Sequence, residues 1–190
     1  MDVINNAFEG YHTCLFAYGQ TGSGKSYSIV GYGANKGIVP KACEEIFSRI
    51  EKRLKDPYCS TKFEVTVSML EIYNENVQDL FMDPTKRPKG GLKVRESPTA
   101  GVFVENLSKV PVNSYEEIQR QYDVGNNNRT IASTLMNATS SRAHTIFSIV
   151  FKQRSFVILG TILGFEDKDA NKREGESDAF GRSCRFRACW

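Results

Sequence analysis

The sequence predicts an α/β domain with a central, mostly β sheet flanked by helices, and three observations carry this prediction. A short apolar segment at 12–18 leads directly into a glycine-rich turn and the start of a helix. A segment near 40–50 has apolar residues at helical spacing, and 62–73 alternates apolar and polar residues as a half-buried strand does. Strands and helices that alternate along a chain are typical of α/β folds.

The first half of the chain predicts two strands and two helices. After the glycine-rich turn at 19–24 comes a short helix and then a loop with further glycines. The next helix is expected to begin near Pro40, a favourable first-turn residue. Its apolar positions are Ala42, Ile46, Phe47 and Ile50. The strand at 62–73 follows, and 75–81 either continues it or turns briefly helical.

The second half predicts a loop, a hairpin, a helix and a strand. The loop at 83–91 holds two prolines and two glycines, and 92–95 with 102–112 predicts the hairpin. Ser114 and Glu117 have the spacing of a capping box, so a helix is expected from there towards Ile131. A polar loop at 133–142 then precedes an alternating strand at 144–152.

The composition is that of an ordinary globular protein. Of 190 residues, 40% are hydrophobic and 25% charged, and the net charge of +3 does not select a polyanion such as nucleic acid. Five cysteines without CxxC spacing indicate reduced thiols. The N-terminus lacks a signal-peptide pattern, and no apolar stretch approaches the ~20 residues of a membrane span. We expect a cytoplasmic chain with no membrane segment and no nucleic-acid partner.

The glycine-rich turn matches the phosphate-binding pattern G-x-x-x-x-G-K-[ST] in full. Its residues are Gly19, Gln20, Thr21, Gly22, Ser23, Gly24, Lys25 and Ser26. Glycines let backbone N–H groups face a phosphate without a Cβ clash, and the following helix adds partial positive charge. Lys25 can reach the β- and γ-phosphates, and the Ser26 hydroxyl can bind Mg²⁺. The pattern predicts a nucleotide site without naming the nucleotide; the alternative interpretation is a glycine-rich turn with a chance lysine.

Two segments resemble the kinesin motor domain. Phe16, Ala17 and Tyr18 stand directly before the phosphate loop, as in kinesins. Residues 137–144 read NATSSRAH, similar to the N-x-x-S-S-R-S-H of the first kinesin switch loop. The two motifs occur in the kinesin order, and the resemblance covers about residues 3–153. Residues 92–96, 103–108 and the Ser26-Tyr27 pair look most like the third kinesin family, a branch of cargo transporters.

The resemblance implies ATP and Mg²⁺ as cofactors and gives roles to the switch residues. Ser140 and Ser141 would sense the γ-phosphate and the Mg²⁺ shell, with Ser141 a metal ligand beside Ser26. Hydroxyls suit this role because they bind a phosphate oxygen or a metal without adding charge. Arg142 would pair with a glutamate of the second switch. Ala143 stands where kinesins usually carry serine, so one switch hydrogen bond is in doubt.

Two further expectations come from the resemblance. Tyr27 would pack against the adenine face, with ordinary core packing as the alternative. Five basic residues within ten positions lie in a region that touches the microtubule in kinesins, with a solvated face as the alternative. They are Lys86, Arg87, Lys89, Lys93 and Arg95. A microtubule partner and a cytoskeletal location follow from the resemblance.

The resemblance also implies segments that this sequence lacks. Kinesin motors have an R-x-R-P segment before this region and a second switch, D-L-A-G-S-E, after the strand at 144–152. Residues 161–166 share only a glycine and a glutamate with that switch. We therefore expect 1–153 to be a motor domain incomplete at both ends and 154–190 to be a divergent tail with no recognisable domain. The loop-bearing strand would lack its neighbours unless 156–164 substitutes for one.

Three hypotheses of function result. The first is an ATPase that moves along microtubules in the complete protein. The second is a truncated non-motor module that binds nucleotide or microtubules without turnover, because the second switch is missing, and for this chain alone we expect little turnover. The third, a phosphate-loop kinase or GTPase, is disfavoured because Asn35, Lys36 and the two residues after them lack the aspartate of the guanine-reading N-K-x-D motif.

Overall fold

The computed structural model describes residues 2–57, 61–98, 101–135, 143–155 and 181–190. Its helices are α1 (Asp2–Phe8), α2 (Lys25–Ile29), α3 (Ile38–Leu54), α4 (Tyr115–Leu135) and a 3-10 turn at Pro84–Lys86. Its strands are β1 (Thr13–Phe16), β2 (Gly31–Tyr32), β3 (Asn35–Lys36), β4 (Thr61–Tyr73), β5 (Asn76–Asp79), β6 (Val94–Ser97), β7 (Gly101–Val104), β8 (Val110–Pro111), β9 (His144–Ser155) and β10 (Gly181–Cys189). The predicted α/β class is confirmed.

One mixed sheet organises the domain. Within the described residues it has six strands in the order β1-β10-β9-β4-β5, with β8 paired to β4. The long β4 and β9 run antiparallel from the pair Thr61 and Ser155 to the pair Ile72 and His144. Only β1 and β10 run parallel among the described pairs. The sheet thus places the strand before the phosphate loop beside the end of β10.

The strand before the phosphate loop has a neighbour from the tail of the chain. β10 pairs with β1 from Thr13 and Phe186 to Phe16 and Cys189, and with β9 on its other edge. The expectation that β1 lacks a neighbour is therefore wrong. Burial alternates along β10, because Phe186 and Ala188 are buried while Arg187 is exposed, which suits a sheet covered on one face. The substitute considered at 156–164, and the segment 161–166, lie outside the described residues.

The core lies between this sheet and the helices. It joins buried residues of α1, α3 and α4 with those of β4, β9 and β10. Phe147, Phe151 and Phe186 are almost completely buried there. The rings of Phe8 and Phe151 have centroids 4.9 Å apart. The buried side chain of Gln153 also connects β9 to α1 and α3. Its Nε2 donates to the Phe8 carbonyl at 3.1 Å, and its Oε1 accepts from Arg53 Nη1 at 2.8 Å.

Three local predictions differ from the structure in detail. The predicted helix begins at Ile38 rather than at Pro40, which lies inside its first turn where a missing N–H costs nothing. The open alternative at 75–81 is resolved as β5, which forms a hairpin with β4. Asn74 and Glu75 connect β4 to β5. Their φ angles of 47° and 62° are positive, as a two-residue type I′ hairpin turn requires. The expected strand at 102–112 is divided, because β7 pairs with β6 whereas β8 pairs with β4.

The helix predicted from the capping box is present. The Glu117 backbone N–H donates to Ser114 Oγ at 3.2 Å, and the Glu117 carboxylate accepts from the Asn113 N–H at 2.7 Å. α4 extends past Ile131 to Leu135. Among the described helices, none is long and apolar enough to cross a membrane.

Candidate nucleotide-binding site

The phosphate loop connects β1 to α2 through glycines in left-handed conformations. Gly22 and Gly24 have φ of 82° and 84°, which a residue with a Cβ adopts only with strain. Gly24 is also the N-cap of α2. The Ser23 N–H donates to the Gln20 carbonyl at 3.2 Å, which closes the turn. The loop therefore has the tight backbone that the sequence pattern predicts.

Lys25 is held against the loop by its own backbone. Its Nζ donates to the Gly19 carbonyl at 2.7 Å and to the Gln20 carbonyl at 2.8 Å. These bonds keep the ammonium at the loop, where an anion would meet it. Thus Gly19 and Gln20 act here through their carbonyl groups, and Lys25 supplies the positive charge.

A cavity of about 370 Å³ opens beside the loop. The described residues that line it come from the loop, the segment after it, α4, the position just before β9 and the position just after β10. They are Thr21, Gly22, Gly24, Lys25, Ser26, Tyr27, Tyr32, Arg129, Ala143 and Trp190. The structure thus brings the C-terminal half of the predicted loop together with residues more than a hundred positions away in the chain. Two cations and several hydroxyl groups suit this cavity to a polyanion.

Tyr27 and Tyr32 form an aromatic pair at the cavity. Their ring centroids lie 6.1 Å apart with an interplanar angle of 30°. The residues are 53% and 64% exposed, so the alternative interpretation of Tyr27 as a core residue is wrong. A second cavity, of about 420 Å³, also has Tyr27 in its lining, together with residues of β3 and the start of α3. Tyr27 is therefore available to a flat ligand group.

Three residues that line the cavity were not predicted from the sequence: Tyr32, Arg129 and Trp190. Arg129 of α4 donates from Nη1 to Thr145 Oγ1 at 3.3 Å, and its position in the cavity depends on how α4 packs. Tyr32 lies five residues after Tyr27 in the sequence. A second aromatic residue so near the phosphate loop could have indicated a second ring at the site. Trp190 belongs to the tail, where no pattern in the sequence indicated a binding residue.

The predicted switch residues Ser140, Ser141 and Arg142 lie outside the described residues. The chain on either side of them does reach the cavity. Arg129 lines it from α4, which ends at Leu135, and Ala143 lines it just before β9. Ala143 stands where kinesins usually carry serine, so the absence of that hydroxyl changes the lining of the cavity itself.

The side chains around the cavity fit a Mg²⁺ ion that arrives with a nucleotide. Ser26 lines the cavity and has a hydroxyl oxygen, the kind of ligand that Mg²⁺ accepts. None of the described lining residues is Asp or Glu, and the described part of the chain holds no cluster of three metal-binding side chains. Because Mg²⁺ in such sites takes most of its ligands from phosphates and water, Ser26 fits this role.

The five predicted basic residues near the 3-10 turn divide into two groups. Lys86, Lys89 and Lys93 have exposed side chains. Arg87 is half-buried and its Nε donates to the Met82 carbonyl at 3.2 Å. Burial lowers the pKa of the Arg87 guanidinium, although the carboxylates of Glu71, Asp79 and Asp83 act in the opposite direction. Arg87 is therefore engaged within the fold.

Arg95, the fifth basic residue, is exposed but has an acidic partner. Its Nε lies 3.2 Å from Glu105 Oε2 across the β6–β7 hairpin. The sequence interval 86–95 contains no acid, so this partner was visible only in three dimensions. Of the predicted basic surface, the three lysines remain the most available to an acidic partner.

The fold and the loop together place the chain in the class of phosphate-loop proteins. The sequence model described as "Kinesin motor domain" matches residues 1–158. The chain belongs to the kinesin motor domain family. The assignment to the third kinesin family stays a prediction, because the names of the relatives do not state a branch.

The chain is similar to several curated kinesins. It is 53% identical over 152 residues to "Kinesin-related protein 1" of Dictyostelium discoideum, which covers 80% of this chain and 7% of that protein. It is 50% identical over 161 residues to "Kinesin-like protein KIF28" of Rattus norvegicus, covering 85% of this chain and 15% of the relative. "Kinesin-like protein KIF1A" of Rattus norvegicus is 48% identical over 155 residues, covering 80% of this chain and 9% of the relative. The chain therefore spans a small part of these relatives.

Solved kinesin structures have the same architecture. A "fast kinesin" matches with a TM-score of 0.79 and 30% identity, covering 99% of this chain and 46% of that chain. A KIF14 dimer described with AMP-PNP in complex with a microtubule matches with a TM-score of 0.77 and 36% identity, covering 99% of this chain and 47% of that chain. The chain spans about half the length of these solved chains.

Proposed function

We propose that this chain is the nucleotide-binding part of a microtubule motor that couples ATP hydrolysis to movement in the complete protein. The observation that carries this proposal is a single cavity, in a kinesin-family fold, lined by Lys25 and Ser26 of a complete phosphate-loop pattern and by Tyr27, which follows the pattern. The similar KIF14 structures are described with AMP-PNP or ADP and in complex with a microtubule, which supports both the nucleotide and the filament.

The phosphates would bind where the positive charges meet the loop. Lys25 already donates to two loop carbonyls, and phosphate oxygens are stronger acceptors for the same ammonium. Arg129 adds a second cation to the lining. The left-handed glycines leave backbone N–H groups free of side-chain obstruction. These features together position a polyphosphate and neutralise its charge.

Ser26 and Ser141 would hold Mg²⁺ together with the nucleotide. When bound, the ion would neutralise part of the charge of the phosphates. Ser140 and Ser141 would report the γ-phosphate through hydroxyl hydrogen bonds, and Arg142 would pair with an acidic residue of the second switch. These roles rest on the kinesin pattern at 137–144, of which Ala143 lines the cavity.

The adenine would lie against Tyr27. An exposed aromatic plane stacks well on a flat base, and the Tyr32 ring beside Tyr27 would enlarge this aromatic surface. The second cavity beside Tyr27 offers room for the base outside the phosphate site. This arrangement favours a nucleotide that extends from Lys25 at its phosphates to Tyr27 at its base.

The microtubule would meet the exposed lysines near the 3-10 turn. Lys86, Lys89 and Lys93 face solvent, and the microtubule surface is acidic, so electrostatic attraction favours contact. Arg87 and Arg95 contribute less because they are engaged within the fold. A cytoplasmic location on the microtubule cytoskeleton follows from this partner. Residues 1–153 would be the motor part and 154–190 the divergent tail, whose β10 nevertheless joins the sheet.

Nucleotide binding by the chain can be tested at Lys25. Replacing Lys25→Ala removes the ammonium that faces the phosphates, so we expect ATP affinity to fall by roughly a hundredfold. The measurement is fluorescence anisotropy of a labelled ATP analogue with Mg²⁺. Lys52→Ala on the exposed side of α3 is the control and should bind as the unmodified chain does. Equal affinity of the two variants would contradict the proposed site.

The test of motor activity uses a longer protein that contains this chain. We expect its ATP hydrolysis to rise on addition of microtubules, and substitution of Lys86, Lys89 and Lys93 by alanine to raise the microtubule concentration needed, more so at low salt. If microtubules did not change the rate of ATP hydrolysis, and nucleotide did not change co-sedimentation of the protein with microtubules, the non-motor binding module would be supported instead. The same triple substitution should leave nucleotide affinity unchanged.

A further inference from the structure

The end of β10 lies directly beside the phosphate loop. β1 and β10 are parallel, so their carboxyl ends share one edge of the sheet, and the loop begins at that edge. Phe16 is the register partner of Cys189. The Ala17 N–H donates to the Cys189 carbonyl at 2.9 Å. The residue after Cys189 is therefore held next to the loop by the backbone itself.

That residue, Trp190, is fixed in place on its other side as well. Its N–H donates to the Thr145 carbonyl at 3.1 Å, and its carbonyl accepts from the Thr145 N–H at 2.9 Å. Thr145 also carries the hydroxyl that Arg129 binds. The indole packs against Tyr122, with ring centroids 6.4 Å apart. Trp190 is thus anchored to β9 and packed against α4, the helix that carries Arg129.

Trp190 lines the same cavity as Lys25 and Arg129. It is only 6% exposed, and its ring N–H is buried without a hydrogen-bond partner among the described residues. A buried donor without a partner is costly, so a group that accepts from it stabilises the site. Phosphate oxygens are strong acceptors, and Trp190 lines the cavity together with Gly24 and Lys25 of the phosphate loop.

We propose that Trp190 contacts the phosphate portion of the bound nucleotide and that nucleotide binding is coupled to docking of the β10 end. This proposal rests on the proposed nucleotide site. The indole supplies both a ring surface and an N–H donor. Because Cys189 and Trp190 bind the loop strand and β9 through their backbone, a ligand that favours the docked Trp190 also favours the attachment of β10. The tail thereby becomes part of the binding site.

Trp190 reports on its own contact because the chain has a single tryptophan. Titration of the full chain with ATP and Mg²⁺ is expected to change the intensity or wavelength of Trp190 emission, with the same midpoint as the binding of a labelled ATP analogue. Acrylamide should quench the emission less in the presence of nucleotide. Lys25→Ala should show neither change at the same nucleotide concentrations.

Variants of Trp190 test its share of the affinity. Trp190→Ala is expected to weaken nucleotide binding by roughly two- to tenfold, the range of a single aromatic contact. Trp190→Phe keeps an aromatic ring but lacks the N–H, so its nucleotide affinity should lie between those of the unmodified chain and of Trp190→Ala. Arg187→Ala, on the exposed face of the same strand, is the control and should bind as the unmodified chain does. Circular dichroism and thermal unfolding show whether each variant is folded.

The outcomes separate this proposal from the proposed function. Coincident emission change and weakened binding in folded Trp190→Ala support the contact. Tight nucleotide binding with unchanged Trp190 emission, or folded Trp190→Ala with unchanged affinity, overturns the contact and leaves the nucleotide site standing. Failure of the unmodified chain to bind the labelled analogue overturns the nucleotide site, and the Trp190 contact with it.

Discussion

Two opposite ends of the chain meet at the phosphate cavity, and they are built by different means. The phosphate loop at 19–26 takes its shape from neighbours in sequence, through left-handed glycines and the bonds of Lys25 to its own loop. The end of β10 takes its position from pairing with residues some 170 positions earlier. The shape of one side of the cavity therefore depends on a local motif, whereas the position of the other side depends on pairing across the whole sheet.

The two regions also differ in burial. Most of the phosphate loop is exposed or half-buried, whereas Phe186, Ala188 and Trp190 of the β10 region are buried in the core. Since burial of apolar surface is the main source of folding free energy, the loop contributes little to stability and β10 contributes much. Substitutions in the loop should thus change ligand affinity, and those on the inner face of β10 should change the free energy of unfolding.

The largest expected effect is on stability at Phe186. Phe186→Ala removes an almost completely buried ring, so we expect the free energy of unfolding to fall by about 3–5 kcal/mol. This is a large share of the ~5–15 kcal/mol that stabilises a typical domain. Urea denaturation followed by Trp190 emission measures it.

Arg187→Ala is the matched control for that substitution. Arg187 lies next to Phe186 in β10 but faces solvent, so its replacement by alanine should change the free energy of unfolding of the chain by less than about 0.5 kcal/mol. If Phe186→Ala were as stable as Arg187→Ala, β10 would not belong to the core, and the distinction between the two regions would fail.

The same difference explains how much of the fold could be predicted. The strand at 62–73 and the helix after Ser114 were predicted because hydrophobic period and capping are local properties. The place of β10 could not be predicted, because its alternation predicts a strand at most and says nothing about its partners. The resemblance to kinesins led to the expectation that β1 would lack its neighbours unless 156–164 replaced one. The neighbour is instead β10, because strand pairing depends on the whole sheet and not on the presence of a motif.

The site divides in the same manner. Lys25, Ser26 and Tyr27 were predicted from consecutive residues, and the structure places all three on the cavity. Arg129 and Trp190 were not predicted, because their approach depends on the packing of α4 and β10. Arg87 shows the reverse case, since a run of charge predicts an exposed surface, whereas burial and hydrogen bonding are tertiary properties.

A smaller effect should appear at alkaline pH on the β10 side. Burial raises the pKa of Tyr122, which packs against Trp190, from 10.0 to about 12. Below pH 10 the phenol is neutral in both states; between pH 10 and 12 it ionises only when the chain unfolds. The free energy of unfolding should therefore fall with rising pH, by up to about 1.4 kcal/mol per pH unit from this group.

The measurement is urea denaturation at pH 9 to 11.5 for the unmodified chain and for Tyr122→Phe. The variant should lose stability less steeply above pH 10, because it lacks the ionising phenol. Burial also raises the pKa of Cys43 from 9.0 to about 12, which adds a decline of the same sign from pH 9 in both proteins. Parallel curves for the two proteins would show that Tyr122 ionises equally in both states.

The smallest effect on stability should come from the phosphate loop. Gly24→Ala places a Cβ where nothing lies within 4 Å, so its cost is the left-handed backbone at φ of 84°, roughly 1 kcal/mol. Gly90→Ala, also in open space but without a positive φ, should be neutral or slightly stabilising. Thermal unfolding and ATP affinity are measured together. We expect Gly24→Ala to lower affinity more clearly than stability, because the backbone that faces the phosphates must change shape. A loss of stability as large as that of Phe186→Ala would show that the loop, too, is part of the folding core.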